Sequence, residues 1–214
     1  MTTVPAVASK SQTTPAPLGP CRVLIADDEH LIATGLGATV ARLGHEVVAI
    51  APDGEQAILL ATQHKPDLAL LDIRMPKVTG IDAAAMIYSQ LGIPTIIVTA
   101  YSDEEHLSRV RGYGEGSGVY GYLLKPVSPE ELRVTIGVTR QRAAVDAQQR
   151  ARVAQLEHNL TQRRLVEQAK WILVEKHKLT EQQAHEKLQR TARDQRRPLG
   201  EVAQGVIDTG ELPS

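Results

Sequence analysis

From residue 21 onward, short apolar runs alternate with amphipathic stretches of helical length, and this alternation restricts the fold more than any other feature. Strands separated by helices of this length predict βαβ units and a parallel sheet. Right-handed crossovers then place helices on both faces of the sheet. We therefore expect a doubly wound α/β fold with five strands in the order 2-1-3-4-5. The predicted strands are 22–26, 46–51, 67–71, 94–99 and 119–124, and the helices between them lie near 30–43, 54–64, 80–90 and 102–111.

The rest of the chain is predicted to be helical. Residues 130–176 contain no Pro and are rich in Ala, Gln, Arg and Leu, which favours one long helix. Thr180 and Gln183 have the spacing of a capping box and predict the start of a second helix. Pro198 opens a last short helix that Gly210 ends. We expect a long helix followed by a small all-α module of three helices.

Polar side chains lie at or directly after the ends of four of the predicted strands. Asp27 and Asp28 follow the first strand, Asp72 the third and Lys125 the fifth, and Thr99 is the last residue of the fourth. In a parallel sheet the carboxyl ends of the strands lie at one rim, where ligands bind. Carboxylates at close range repel one another, and a divalent cation relieves that repulsion. Because oxygen-only ligands favour Mg²⁺, we expect Asp28 and Asp72 to bind it directly and Asp27 to act largely through water.

The same rim has the groups needed to receive a phosphoryl group. A carboxylate such as Asp72 can act as the nucleophile that accepts it. The metal, the Lys125 ammonium and the Thr99 hydroxyl would then offset the charge on the phosphoryl oxygens. A phosphatase with an aspartyl nucleophile generally has a second Asp two residues later as general acid. Arg74 occupies that position, so we do not expect an enzyme.

Residues 21–139 resemble the receiver domain of bacterial two-component response regulators, which has a flavodoxin-like fold. The resemblance spans the whole domain. It rests on VLIADDE at 23–29, LDIRMP at 71–76 with Gly80 after it, VTA at 98–100 and GYLLKP at 121–126.

This resemblance implies a role for each residue of the rim. Asp72 would be the phosphoacceptor from a sensor histidine kinase. The backbone carbonyl of Arg74 would complete the Mg²⁺ ligands. Thr99 and Tyr122 would form the switch pair, and Lys125 would contact the phosphoryl group.

The segment before the fifth strand departs from this family. Residues 112–118 are longer and richer in Gly than the usual connection. We interpret them as a tolerated loop insertion, and the alternative is an altered output face. The family also implies a cis bond between Lys125 and Pro126.

Charge is distributed unevenly along the chain. Residues 21–139 hold 9 Lys and Arg against 15 Asp and Glu, a net of −6, whereas residues 140–200 hold 14 against 7, a net of +7. A basic half suggests a nucleic-acid partner, and a solvated helical face is the alternative. Few aromatic residues accompany the basic ones, which argues against single strands and for structured RNA or a duplex. The candidate contacts are Arg163, Arg164, Lys170, Lys187, Arg190, Arg193, Arg196 and Arg197.

Residues 155–210 resemble the ANTAR domain, the three-helix RNA-binding module of transcription antitermination regulators. The chain departs from that family at Trp171 and Lys178, where Gly is common, and at Gln189, where Arg is frequent. We expect Trp171 to pack against the small module. The matching positions are Leu160, Arg163, Val166, Ala169, Lys170, Ile172, Leu173, Leu179, Thr180, Ala184, Leu188, Ala192, Leu199, Val202, Ala203 and Ile207.

These observations predict a disordered tail at 1–20, a receiver domain at 21–139, a helical linker at 140–154 and an ANTAR-like domain at 155–210. Our leading hypothesis is a phosphorylation-regulated response regulator. It would dimerise when phosphorylated and hold RNA hairpins in nascent transcripts to prevent termination. A DNA-binding regulator and a protein-binding adaptor that uses the long helix are the alternatives.

The cellular location is predicted from the cysteine content, the apolar runs and the first residues of the chain. Cys21 is the only cysteine, which fits a reducing compartment. No apolar run approaches the length needed to cross a bilayer, so we expect no membrane association. The first twenty residues lack the pattern of a secretory signal. We therefore expect a cytoplasmic protein.

Overall fold

The computed structural model describes residues 19–100 and 117–213. The chain forms two compact units, Met1–Val145 and Asp146–Ser214. The predicted helix at 102–111, most of the predicted tail and residues 112–116 of the Gly-rich segment lie outside the described residues.

The first unit contains a five-stranded sheet in which every strand pair is parallel, in the order β2-β1-β3-β4-β5. This arrangement confirms the predicted doubly wound fold. The strands are β1 (Arg22–Ala26), β2 (Glu46–Ala51), β3 (Leu68–Leu71), β4 (Thr95–Thr99) and β5 (Val119–Leu124). The helices are α1 (His30–Arg42), α2 (Gly54–His64), α3 (Gly80–Leu91) and the first part of α4, which runs over Pro129–His177.

Successive side chains along each strand point to opposite sides of the sheet, and helices pack against both sides. Leu24 and Leu71 belong to one apolar cluster, with residues of α2 and α3. Ile25 and Leu70 belong to the other, with residues of α1 and α4. All four side chains have no exposed surface. This two-sided burial explains why the strands read as continuous apolar runs.

Local signals fix where the helices beside the sheet begin and end. Asp53 is the N-cap of α2, and its Oδ1 accepts a hydrogen bond from the Gln56 N–H at 2.8 Å. Thr79 caps α3, and its Oγ1 accepts from the Asp82 N–H at 3.2 Å. Gly92 ends α3 with a φ of 70°, a left-handed conformation that glycine adopts without steric cost.

The second unit contains the rest of α4, then α5 (Glu181–Asp194) and α6 (Leu199–Thr209). This order confirms the predicted long helix and small helical module. Thr180 and Gln183 form the capping box that the sequence indicated. No helix within residues 19–100 or 117–213 is both long enough and apolar enough to span a membrane. The core of the unit comprises Val166, Ala169, Leu173, Ala184, Leu188, Ala192, Val202, Ala203 and Val206.

The prediction that Trp171 packs against the small module is wrong. Its side chain is 65% exposed, whereas Ala169 and Leu173 beside it on α4 are buried. Successive helical residues are turned by about 100°, so Trp171 lies about 200° around the helix from each of them. The indole therefore faces solvent while its neighbours fill the core.

Candidate functional site

Three carboxylates meet at the carboxyl ends of β1 and β3. Ala26 pairs with Leu71 across these strands, so the residues that follow them are also adjacent. The ligand oxygens of Asp27, Asp28 and Asp72 all lie within 4.8 Å of one another. Asp27 and Asp72 are buried, whereas Asp28 is exposed. The structure thus brings together the three acids that the sequence placed at one rim.

Lys125 brings a positive charge to these acids from the end of β5. Its Nζ lies 2.6 Å from Asp27 Oδ2 and 3.1 Å from Asp72 Oδ2. Burial disfavours the charged ammonium, but the hydrogen bonds to Asp27 and Asp72 and the negative charges of these two residues together outweigh burial and raise the pKa of Lys125 above its usual value. The ammonium therefore stays charged and holds the two carboxylates at a fixed separation. The Lys125–Pro126 bond is cis.

Backbone donors orient the same two carboxylates. The Ile73 N–H donates to Asp72 Oδ1 at 2.7 Å. The Glu29 N–H donates to Asp27 Oδ1 at 3.0 Å. In each case Oδ2 is the atom that faces Lys125. Every carboxylate of the buried pair is thus held at both oxygens, and the pair is preorganised before any ligand binds.

Thr99 and Tyr122 lie on the strands that complete this rim. Thr99 is buried at the end of β4, and its carbonyl accepts a hydrogen bond from the Lys125 N–H at 2.8 Å. Tyr122 of β5 pairs with Ile97 of β4. Burial raises the pKa of the Tyr122 hydroxyl, and the negative charge of Asp72 raises it further. The tyrosine hydroxyl therefore stays neutral.

The donor set of the rim fits a hard divalent cation. Three carboxylates and one ammonium leave an excess of two negative charges, and every candidate ligand is an oxygen. Arg74 lies two residues after Asp72 in the loop between β3 and α3, and is exposed. Its backbone carbonyl remains the candidate for a further ligand. Receiver domains, which residues 21–139 resemble, bind Mg²⁺ at an acidic pocket.

Sequence reasoning did not single out Asp53 or Lys77, which connect two loops beside the acids. Lys77 Nζ lies 2.8 Å from Asp53 Oδ2 and 3.2 Å from Glu55 Oε2. The hydrogen bond from Lys77 lowers the pKa of Asp53, and bonds to Asp53 and Glu55 raise that of Lys77. The Asp-Gly pair at 53–54 indicates a helix start, but no local pattern indicates its partner 24 residues away.

The basic candidates lie on α4 and α5 and in the turn before α6. Arg163, Arg164, Arg190 and Arg193 are exposed on α4 and α5, and Arg196 and Arg197 are exposed in the turn before α6. Several of the basic candidates pair with acids: Lys170 with Glu167 at 2.9 Å and Glu181 at 3.8 Å, Arg190 with Asp194 at 3.7 Å, and Arg197 with Glu201 at 3.4 Å.

Comparison with known families identifies both parts of the chain. Residues 23–137 match the response regulator receiver domain, and residues 154–207 match the ANTAR domain. The doubly wound sheet and its acidic rim are the fold and site of the receiver class. The chain belongs to the two-component response regulators that join a receiver domain to an ANTAR domain. This is a family of transcription regulators rather than enzymes.

Individual relatives agree with this assignment. The transcriptional regulatory protein PdtaR of Mycobacterium tuberculosis is 40% identical over 194 residues, which cover 91% of this chain and 93% of PdtaR. The uncharacterized transcriptional regulatory protein YxjL of Bacillus subtilis is 40% identical over 113 residues, covering 52% of this chain and 50% of YxjL. Among solved structures, the signal receiver domain of a modulated diguanylate cyclase from Desulfovibrio desulfuricans G20 matches with a TM-score of 0.54 and 29% identity. It covers 59% of this chain and 98% of that structure.

Proposed function

We propose that Asp72 accepts a phosphoryl group from a sensor histidine kinase and that this modification controls RNA binding by the second unit. The observation that carries the proposal is the convergence of Asp27, Asp28 and Asp72 with the Lys125 ammonium on one rim. The chain also has an ANTAR domain. The proposal requires that RNA binding by this domain responds to the charge at the rim.

The residues of the rim divide the chemistry of phosphoryl transfer. A carboxylate oxygen of Asp72 attacks phosphorus, and the bond from phosphorus to the kinase imidazole breaks, with its electron pair returning to the imidazole nitrogen. Asp28, Asp72 and the Arg74 carbonyl would hold Mg²⁺ directly and Asp27 largely through water, and the bound cation would supply positive charge to the phosphoryl oxygens. The Lys125 ammonium exchanges its hydrogen bond to Asp72 for one to the new phosphoryl group.

Thr99 and Tyr122 transmit the change to the rest of the receiver. The Thr99 hydroxyl, at the end of the neighbouring strand, would donate to a phosphoryl oxygen. As the resemblance to receiver domains implies, Tyr122 would then exchange between two arrangements as the switch partner of Thr99. A ligand that favours one arrangement shifts the population of the receiver toward it.

The second unit supplies the output. The match to the ANTAR domain, the net charge of +7 over residues 140–200 and the exposed arginines together support binding to structured RNA. We infer that phosphorylated chains pair and hold hairpins in a nascent transcript, which prevents termination in the cytoplasm. Val153, Leu156 and Leu160 on α4 are each more than half exposed, and apolar side chains of this kind favour pairing.

Phosphorylation of Asp72 is tested by incubating the protein with Mg²⁺ and a small-molecule phosphodonor. We expect one phosphoryl group per wild-type chain by mass spectrometry, and none on Asp72→Asn. The matched control Asp82→Asn removes a carboxylate from the exposed start of α3 and should be phosphorylated like the wild type. Phosphorylation of Asp72→Asn to the wild-type level would contradict the assignment.

The nucleic-acid partner is tested by competition between an RNA hairpin and a duplex DNA of equal length. Hairpin-selective binding that strengthens with the phosphodonor supports the antitermination function. Preference for the duplex would favour the DNA-binding alternative. Binding to neither would leave a protein partner of the long helix as the function to test.

A further inference from the structure

The loop that connects β3 to α3 is fixed at its two ends by backbone contacts. The Gly80 N–H donates to the Ile73 carbonyl at 3.0 Å. A Cβ at Gly80 would lie 1.8 Å from the Asp72 carbonyl oxygen, so no other residue permits this approach. The candidate metal ligand Arg74 therefore belongs to a short loop whose ends meet directly behind the phosphoacceptor.

The middle of this loop has a strained backbone. The Val78 N–H donates to the Pro76 carbonyl at 2.8 Å, which closes a turn of three residues. Lys77 at the centre of the turn has a φ of 66°. A three-residue turn with positive φ at a residue other than glycine costs free energy, and it persists only where surrounding contacts impose it.

The start of α2 provides those contacts. Lys77 Nζ is held at 2.8 Å by Asp53 and at 3.2 Å by Glu55. Asp53 is itself fixed, because it is buried and caps α2 through the Gln56 N–H. A Cβ at Gly54 would lie 2.1 Å from the Val78 carbonyl oxygen, so the helix start lies directly against the turn. The ion pairs of Lys77 with Asp53 and Glu55, called the Lys77 bridge, therefore join the strained turn to α2.

We propose that Lys77 is a positioning residue for the cation site. Held by Asp53 and Glu55, it keeps the turn in the conformation that presents the Arg74 carbonyl to a cation at Asp27, Asp28 and Asp72. This inference rests on the proposed Mg²⁺ site of the receiver. Mg²⁺ requires nearly ideal octahedral geometry, so a displaced carbonyl oxygen lowers its affinity.

The direction in which Mg²⁺ affinity changes when Lys77 is replaced distinguishes a positioning role from a purely electrostatic one. Lys77→Met removes a positive charge near the acids, and through the field alone that change would strengthen cation binding. Positioning predicts the opposite, because the turn loses the contact that imposes its shape. Supporting residues around metal ligands typically change affinity by 10-fold or more, so we expect Mg²⁺ to bind Lys77→Met about tenfold more weakly.

The experiment is a Mg²⁺ titration of the full chain by isothermal calorimetry, with three comparison variants. Lys77→Arg keeps the cation and should recover most of the affinity. Asp53→Asn keeps the helix cap but removes the charge, and combined with Lys77→Met it should cost little more than either change alone. Lys65→Met is the matched control, because Lys65 is also an exposed lysine with positive φ, at 46°, on the far end of α2. It should bind Mg²⁺ like the wild type.

A second measurement excludes a merely structural role. We expect Lys77→Met to raise the Mg²⁺ concentration that half-saturates phosphorylation, with an unchanged maximal rate at saturating Mg²⁺. A loss of folded protein would lower the maximal rate instead and leave half-saturation in place. If the wild type does not bind Mg²⁺, the proposed function fails. If the wild type binds it and Lys77→Met binds it equally or more tightly, only the positioning role is overturned.

Discussion

At the scale of single residues, Lys125 neutralises part of the negative charge at the acidic rim of the receiver. One ammonium, only 11% exposed, lies within 3.1 Å of two buried carboxylates. Charges taken out of water are costly unless they are paired, and each partner of such a pair depends on the other. The negative charge of these carboxylates is therefore neutralised by Lys125 together with any cation that the acids bind.

Replacement of Lys125 by Met should destabilise the metal-free protein and make it more dependent on Mg²⁺. Asp27 and Asp72 would be left without their shared cation, at a cost of about 2–3 kcal/mol, below the range for a fully buried pair because Asp28 and the rim reach solvent. Urea unfolding with and without Mg²⁺ measures both effects. An unchanged midpoint without Mg²⁺, or equal Mg²⁺ stabilisation of variant and wild type, would contradict this account.

His45 gives the first unit a pH dependence away from the acidic rim. Burial lowers the pKa of His45 below its usual 6.5, and the positive charge of Arg140 lowers it further. Its Nδ1 accepts a hydrogen bond from the Cys21 N–H at 3.3 Å, which only the unprotonated nitrogen can do. The unfolded chain therefore binds the proton more readily than the folded one. The stability that His45 contributes is fully present above pH 6.5 and is lost as the pH falls through the folded pKa.

We expect His45→Asn to flatten this dependence, because Asn offers the Cys21 N–H an acceptor but does not titrate. The measurement is the urea midpoint at pH values between 7.5 and 5, compared for the two proteins. A midpoint that falls with pH to the same extent in both would show that other groups cause the loss.

At the scale of helices and strands, the end of α4 is strained. Lys178 follows the last residue of α4 and has a φ of 55°, in the region where glycine is favoured. The ANTAR family commonly has Gly at this position. A residue with a Cβ pays a steric cost there that glycine avoids.

Lys178→Gly should therefore stabilise the second unit by about 0.5–1 kcal/mol, the steric cost recovered less the added entropy of the unfolded chain. Lys178→Ala is the control, because it removes the same charged side chain and keeps the Cβ, and it should not stabilise. Thermal unfolding followed by far-UV circular dichroism measures both. Equal stability of the Gly and Ala variants would contradict the backbone explanation.

Elements governed by local rules were predictable from the sequence. The capping box at Thr180, the extent of α4 and the strand order follow from residue spacing and helix chemistry. The approach of Asp27, Asp28 and Asp72 follows from the rule that parallel strands end at one rim. These features need only the period of the apolar residues and the position of each polar group relative to a strand.

Contacts between distant segments were not predictable. The Lys77 bridge depends on a strained turn meeting the start of α2, and the pairing of Cys21 with His45 joins residues 24 positions apart. The exposure of Trp171 depends on its angle around α4 relative to Leu173, whereas the sequence predicted that it packs against the small module. Each outcome is decided by geometry in three dimensions that no local pattern encodes.

At the scale of the whole molecule, the chain joins an acidic receiver to a basic helical module. Residues 21–139 have a net charge of −6 and residues 140–200 a net charge of +7. The α4 helix runs from one compact unit into the other. This organisation is what the proposed function requires of the chain.

The measurement that tests this account most directly is the affinity for an RNA hairpin, with Mg²⁺, in the presence and absence of a small-molecule phosphodonor. Wild type and Asp72→Ala are compared, with circular dichroism to confirm that the variant is folded. We predict that the phosphodonor strengthens binding by the wild type and leaves that of Asp72→Ala unchanged. Strengthening of equal size in both proteins, or none in a wild type shown to be phosphorylated, would contradict control of RNA binding by Asp72.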